Sequence, residues 1–247
     1  MHQLEPISPR FIGDPRLESL LSACGHDVAL AHRLFVWNLH ASGAAMEAIH
    51  VFELLLRNAM DRELRLWNLE ATGTAEWLLN PDPLIAKVMH PVDLDRTRQR
   101  ATQVASDQRR ELRHDDVLAQ LSLGNWRFLL PSKATKAKQR LWEGALRHAF
   151  PVWPGRWGPE SIVSRVANAH ALRNRVAHLE PLHRFDLRRA RRDMRSVCHA
   201  IGPDAARFFV QNERMLAVIE ANPLASSAGE STPAGATPTR WSPAAST

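Results

Sequence analysis

Tyrosine does not occur in the 247-residue chain, cysteine occurs twice, and lysine is confined to Lys87, Lys133, Lys136 and Lys138. Each scarcity removes a class of chemistry. Without tyrosine there is no phenolic nucleophile or phenolic general acid. Cys24 and Cys198 lie far apart and have no Cys-x-x-Cys partner, so neither a disulfide framework nor a thiolate zinc site can be assembled from them. No stretch reaches the ~20 apolar residues needed to cross a bilayer. Met1–Pro15 is proline-bearing and lacks an apolar core, so it does not read as a secretory signal. A reduced, cytoplasmic setting with no membrane partner is the resulting expectation. Period-two alternation of apolar and polar residues is also missing, so no β-strand is expected.

A hydrophobic share of 45% and a charged share of 23% place the chain among globular proteins, and its length can bury a sizeable core. The net charge of +6 is carried almost wholly by arginine, and the sequence pI is near 10.3. Arginine binds phosphate through two parallel hydrogen bonds and is more weakly hydrated than lysine, so a polyanionic partner is favoured, and the charge alone does not say which one.

The apolar spacing predicts an all-α protein. Pro15 opens a short helix over Arg16–Cys24, with Leu17, Leu20 and Leu21 at helical spacing. Asp27 is placed to cap a second helix running to His40, and a third follows from Ala45 to about Asn68 with Ile49, Phe52, Leu56, Met60 and Leu64 on one stripe. Pro81, Pro83 and Pro91 predict a loop. Further helices are predicted from Asp93 to about Arg113 and from Asp115 to Leu123, then a short aromatic segment over Asn125–Leu130 and a helix over Lys133–Phe150. After the Pro/Trp/Gly loop 151–159, helices are predicted over Glu160–Leu179, Phe185–Ile201 and Asp204–Ala221. From Asn222 the composition turns to Ala, Ser, Thr, Pro and Gly, which predicts a disordered low-complexity tail. The expected organisation is an N-terminal extension with a short helix over 1–26, a helical domain over 27–221 and the tail over 222–247.

One segment concentrates groups able to do chemistry. Asn168–Leu182 reads NAHALRNRVAHLEPL, and Arg173-Asn174-x-x-x-His178 sits near a helix end that Pro181 must enforce. Asn174 and His178 are four residues apart and face the same way. Arg173 lies about 140° from His178 around the axis, but its long side chain can curl back. An imidazole exchanges protons near neutral pH, a guanidinium stays charged, and an amide can orient either. These are the groups needed when a ribose 2′-hydroxyl attacks its own phosphodiester, and no metal or other cofactor is required. DNA, lacking that hydroxyl, should be spared. One histidine cannot easily serve as base and acid together, so a two-fold homodimer bringing two such helix ends together is part of the expectation. The motif is short, however, and a histidine at a helix C-terminus also gains from the helix dipole without any catalysis.

Two more segments accompany the motif: Phe52-Glu53-x-x-Leu56-Arg57-Asn58 in the long helix and Leu121-Ser122-Leu123-Gly124-Asn125-Trp126 in the middle of the chain. Together with Leu172-Arg173-Asn174-Arg175-Val176-Ala177-His178, and in this order, they resemble the Abi-like (abortive infection) family of HEPN proteins. The resemblance runs from about Val28 to Ile201. It implies a HEPN-like helical bundle with extra helices, a dimer with its active site at the interface, and an RNA-cleaving role in phage defence or toxin-like growth arrest. It also implies Arg173 and His178 as the catalytic pair with Asn174 as the polar member between them. A toxin-like role would bring an antitoxin or other regulatory partner. The chain departs from the family in having no tyrosine in its early helices.

Glu53 and Arg57, spaced i, i+4, are expected to pair and with Asn58 to support the cluster. Arg175, Arg184, Arg188, Arg189 and Arg192 are the expected RNA-binding residues, because the basic run 184–195 follows His178 directly. The competing reading of that run is a solvated helix face, and the competing reading of the whole chain is a non-catalytic RNA- or protein-binding module. The remaining histidines, His170 among them, show no paired His/Asp/Glu spacing that would hold a metal.

Overall fold

The computed structural model describes residues 14–89, 91–131, 135–153 and 158–227. The N-terminal stretch before Asp14, Trp157 and the tail from residue 228, including Trp241, lie outside the described residues. All regular structure among the described residues is helical. No helix there is long and apolar enough to cross a membrane.

The first helix, α1 (Asp14–Ala23), ends where Gly25 and His26 both take left-handed φ angles of 59° and 64°. That reversal delivers Asp27, which is the N-cap expected: its Oδ1 accepts from the Leu30 amide at 3.0 Å. The second helix, α2 (Val28–Thr72), is the axis of the molecule. At 45 residues it is roughly 67 Å long. Gly73 stops it with a left-handed φ of 79°, donating its amide to Leu69 O.

The expected break between His40 and Ala45 does not occur. Gly43 costs a helix interior about 1 kcal/mol relative to alanine, but tertiary packing overrides it. Ala41, Ala44, Ala45 and Ala48 are buried on one face. Trp37 Nε1 donates to Val218 O at 2.7 Å, and Arg214 pairs with Glu47 at 2.8 Å while lying against Gly43. A helix near the C-terminus thus clamps α2 across the weak point.

The proline region contains a short helix, α3 (Pro83–Val88), begun by Asp82, whose Oδ1 accepts from the Leu84 and Ile85 amides. Buried Asn68 binds the loop before it, donating to Thr74 O and Asn80 O and accepting from the Asp82 amide. The polar helix α4 (Pro91–Asp107) ends earlier than expected, because Arg109 turns left-handed and Arg110 reaches Asp116. Two short helices follow, α5 (His114–Gln120) and α6 (Leu123–Leu129). The aromatic segment is therefore helical, and Trp126 is buried within it.

The predicted helix over Lys133–Phe150 is shorter and divided: α7 (Lys136–Gly144) precedes a 3₁₀ turn, Leu146–Ala149. Gly144 lies so close to the Trp67 ring that a methyl group there would overlap it. Then come α8 (Pro159–Ala177), α9 (Leu187–Ile201), α10 (Pro203–Gln211), α11 (Met215–Glu220) and α12 (Pro223–Ser227). The predicted helix Asp204–Ala221 is split because Glu213, at the break, forms a buried ion pair with Arg191 at 2.7 Å and accepts from the Met215 amide. The first residues of the expected tail are ordered as α12, with Leu224 packed on the core.

One hydrophobic cluster joins Leu20 of α1 to Met215 of α11, with Phe52, Leu56, Trp77, Trp126, Leu172 and Met194 inside it. Each such large side chain contributes roughly 1.5–3 kcal/mol by leaving water. Helix α2 packs against α1, α6, α8, α9, α10, α11 and α12. For function the relevant contacts are those of α6 with α8 and of both with the middle of α2.

Candidate active site at the end of α8

The end of α8 is fixed by its own backbone. His178 is the C-cap, its amide donating to Asn174 O at 2.9 Å. Leu179 then takes a left-handed φ of 55° and the Glu180 amide returns to Arg175 O at 2.8 Å. A leucine in that region costs about 1–2 kcal/mol, and contacts on both sides of the turn hold it there. Arg175 lies 3.3 Å from Pro181 O and from Glu180, with the Phe185 ring beneath its guanidinium. The Leu182 amide donates to Asn38 Oδ1 on α2 at 2.6 Å, and the Leu182 side chain is fully buried. The chain stops being helical before Pro181, as expected, on an anchored turn.

His178 is exposed, and its ring makes no hydrogen bond among the described residues. One turn back, Arg173 and Asn174 are half-buried. Arg173 Nη1 donates to Asn174 Oδ1 at 3.4 Å, and Asn174 Nδ2 approaches His170 Nδ1 at 3.5 Å. Burial, with Arg127 and Arg173 adding to it, holds the His170 imidazole below the ordinary histidine value. The neutral ring this favours leaves Nδ1 free to accept from the amide. His170, Asn174 and His178 thus form an i, i+4, i+8 stripe along α8.

The stripe is backed by the other two segments. Glu53 on α2 lies near the Leu123 amide at the start of α6, and that amide favours its charged form. Burial pushes its carboxyl above the ordinary value, and Arg57, Arg173, His50 and the Leu123 amide pull the other way. Gly124 of α6 faces His170, where a Cβ would stand 3.2 Å from Nε2. Residues 53, 123–127 and 170–174, distant in sequence, therefore meet at one place. The expected ion pair between Glu53 and Arg57 does not form within 4.0 Å; their attraction acts over a longer distance, and Arg57 Nε is buried without an acceptor. Arg127 Nε is likewise buried and without an acceptor. Asn58 is exposed and makes no hydrogen bond among the described residues.

The expected RNA-binding arginines divide. Arg175 is committed to the turn, and Arg189 lies 3.8 Å from Asp193. Arg184, Arg188 and Arg192 are exposed with no carboxylate within 4.0 Å among the described residues. Arg195 and His199 continue the line of Arg188 and Arg192 along the outer face of α9, while Leu187, Ala190, Met194 and Val197 are buried on the inner face.

A second polar cluster lies two turns further along α2; both oxygens of its carboxylate are bonded, although His114 Nδ1 is buried with no partner among the described residues. Buried Asp61 accepts from Trp77 Nε1 at 2.8 Å, from His114 Nε2 at 2.9 Å and from Arg65 Nε at 2.8 Å. Burial alone would raise its pKa, yet the bonds from His114, Arg65 and Trp77 hold the carboxyl below the ordinary value. Arg65 also reaches Asp115 at 2.6 Å.

Sequence reading missed His170 and Arg127 as members of the first cluster. The four-residue step from His170 to Asn174 was the available signal for one; Arg127 had none. Among the described residues no three His, Cys, Asp or Glu side chains are grouped to hold a metal ion. Chemically, the assembly offers an exposed imidazole next to a patch of positive charge whose donors are incompletely used. Comparison with protein-family models, with curated proteins and with solved structures finds no match.

Proposed function

We propose that the chain is a metal-independent endoribonuclease of the Abi-like HEPN type. In this reading His178 exchanges the proton, Arg173 stabilises charge on the phosphoryl oxygens, and Asn174 orients the reacting groups. The ribose 2′-oxygen attacks the adjacent phosphorus as its proton passes to an imidazole. The P–O5′ bond breaks, a protonated imidazole gives its proton to the leaving oxygen, and the products carry a 2′,3′-cyclic phosphate and a 5′-hydroxyl. A second copy of the chain, related by a two-fold axis, supplies the second histidine. A cytoplasmic role in phage defence or growth arrest, controlled by an antitoxin or similar partner, accompanies this reading.

The observation that carries the proposal is the contrast along α8: an exposed, unbonded imidazole at the helix end, and one turn away a guanidinium–amide pair backed by Glu53 and α6. A buried histidine would have been useless to a phosphodiester. A second reading, RNA binding without cleavage, draws on Arg188, Arg192 and Arg195 of α9, which have no carboxylate within 4.0 Å among the described residues.

The two are separated by incubating purified protein with RNA in EDTA and mapping the product ends. Cyclic phosphate ends are expected from the parent and from His148→Ala, an exposed histidine of the 3₁₀ turn. Loss of at least a hundredfold in rate is expected from His178→Ala and Arg173→Ala, the scale of one acid–base or electrostatic group. Intact RNA retained equally by parent and variants would favour the binding module.

A further inference from the structure

We propose that the cleft between α4 and α6 is a binding site for a nucleoside phosphate. The cleft has a volume of about 620 Å³ and is lined by Met89, Arg96, Gln99, Arg100, Asn125 and Phe128, with Gly124 and Ser122 at its inner wall. That is within the range of small-ligand sites, roughly 300–1,000 Å³.

Among the described residues its charge is one-sided: no aspartate or glutamate of theirs lines it. Arg96 and Arg100, four residues apart on α4, lie on one helix face, and among the described residues neither has a carboxylate within 4.0 Å. Of the acidic side chains described on the same helix, Asp95 lies 3.9 Å from Arg98, and Asp107 accepts from Gln103 at 2.8 Å. Two like charges one turn apart repel, and an anion between them removes the repulsion. Guanidinium groups suit phosphate oxygens in particular.

The other wall supplies what a nucleoside needs. Asn125 Oδ1 accepts from both the amide and the hydroxyl of Ser122 at 2.9 Å. Its orientation is thereby set, and Nδ2, with no acceptor among the described residues, is left to donate. Phe128 is 46% exposed, with Lys138 Nζ 3.8 Å from its ring centroid on one side. The exposed part of the ring, beside Met89, offers a base an apolar contact. Gly124 lines the cleft and also faces His170, so the cleft and the α8 cluster share a wall one residue thick. The site requires recognition only, and it stands whether or not the chain cuts RNA.

The source of the nucleotide is either a free mononucleotide or one unit of an RNA strand. Full-length protein is titrated with AMP, with a 2′-O-methyl octaribonucleotide that cannot be cleaved, and with inorganic phosphate. The same titrations are run on Arg96→Gln/Arg100→Gln and on Arg33→Gln, an exposed arginine near the start of α2. Binding of AMP or of the octamer is expected, weakened at least tenfold in the double variant and unchanged in Arg33→Gln, with amide shifts at Gly124 and Asn125 on saturation. Response of the octamer alone assigns the cleft to a strand, and response of AMP assigns it to a free nucleotide. Equal binding by parent and double variant, or phosphate binding as tight as AMP, would overturn the proposal. Because no probe is cut, inactivity of the His178 site leaves this readout intact.

Discussion

Helix α2 carries two polar clusters two turns apart, and they differ in how completely their carboxylates are bonded. At Asp61 each carboxylate oxygen has a donor: Trp77 and His114 share one, Arg65 holds the other. At Glu53 the carboxyl is raised by burial, the nearby Arg57 and Arg127 have buried nitrogens without acceptors, and the bonds among Arg173, Asn174 and His170 are long, at 3.4 and 3.5 Å. A closed network of buried polar groups stabilises and specifies the fold. An open one costs stability and is retained where something else completes it. The two clusters use similar residue types, and each leaves a buried nitrogen without a partner among the described residues, so it is the bonding of the central carboxylate that separates them.

The comparison breaks first at Asp61. Asp61→Ala would strand His114 and Trp77 in the interior, leave Arg65 only Asp115, and should cost roughly 3–5 kcal/mol, the scale for removing one partner of a buried ionic network; chemical denaturation measures it. A smaller loss would mean the cluster is not the structural one. The next effect is a difference in sign with pH. Asp61, with its pKa depressed, contributes stability above the unfolded value near 3.9 that is lost as pH falls through the folded one. Glu53, with its pKa raised, does the reverse: its favourable contribution is complete below about 4.3 and is lost as pH rises through the folded pKa. Melting curves between pH 3 and 8 should therefore show Asp61→Asn most harmful at neutral pH. Glu53→Gln should improve relative to the parent as pH rises from 4 to 7. Parallel pH profiles for the two would contradict the distinction.

The smallest effect on the fold is expected on the outer face of α9. Replacing Arg188, Arg192 and Arg195 together by alanine should leave stability within about 0.5 kcal/mol, as for surface changes generally. If these arginines meet phosphates, the same variant should lower the salt dependence of single-stranded RNA binding, by about 0.7 in log–log slope for each phosphate no longer neutralised. An unchanged slope would make the face a solvated one.

The helical class, the Asp27 cap and the end of α8 were all legible in the sequence, because each rests on local chemistry: apolar spacing, a capping side chain, a following proline. Features set by distant partners were not. The break expected between His40 and Ala45 is prevented by residues near the C-terminus, Arg214 pairing with Glu47 and Val218 O accepting from the Trp37 indole. The break at Glu213 depends on Arg191, two helices earlier. The i, i+4 spacing of Glu53 and Arg57 pointed to an ion pair, whereas their attraction acts over more than 4.0 Å and the Leu123 amide also favours the Glu53 carboxylate. In the candidate site, Arg173, Asn174 and His178 were legible as a motif. His170 and Arg127 enter only when α6 is laid against α8, and Arg96 and Arg100 stood out only once α4 was set opposite Asn125 and Phe128. Asp61, Trp77 and His114 come from three separate elements, so no local spacing announces them.

The two clusters are compared most directly by single-turnover RNA cleavage in EDTA, normalised to folded protein, with the melting temperature read on the same samples. His178→Ala is expected to lose at least a hundredfold in rate at an unchanged melting temperature. Asp61→Asn is expected to melt lower while retaining the parental rate per folded molecule. Full cleavage by folded His178→Ala would contradict the proposed role of His178.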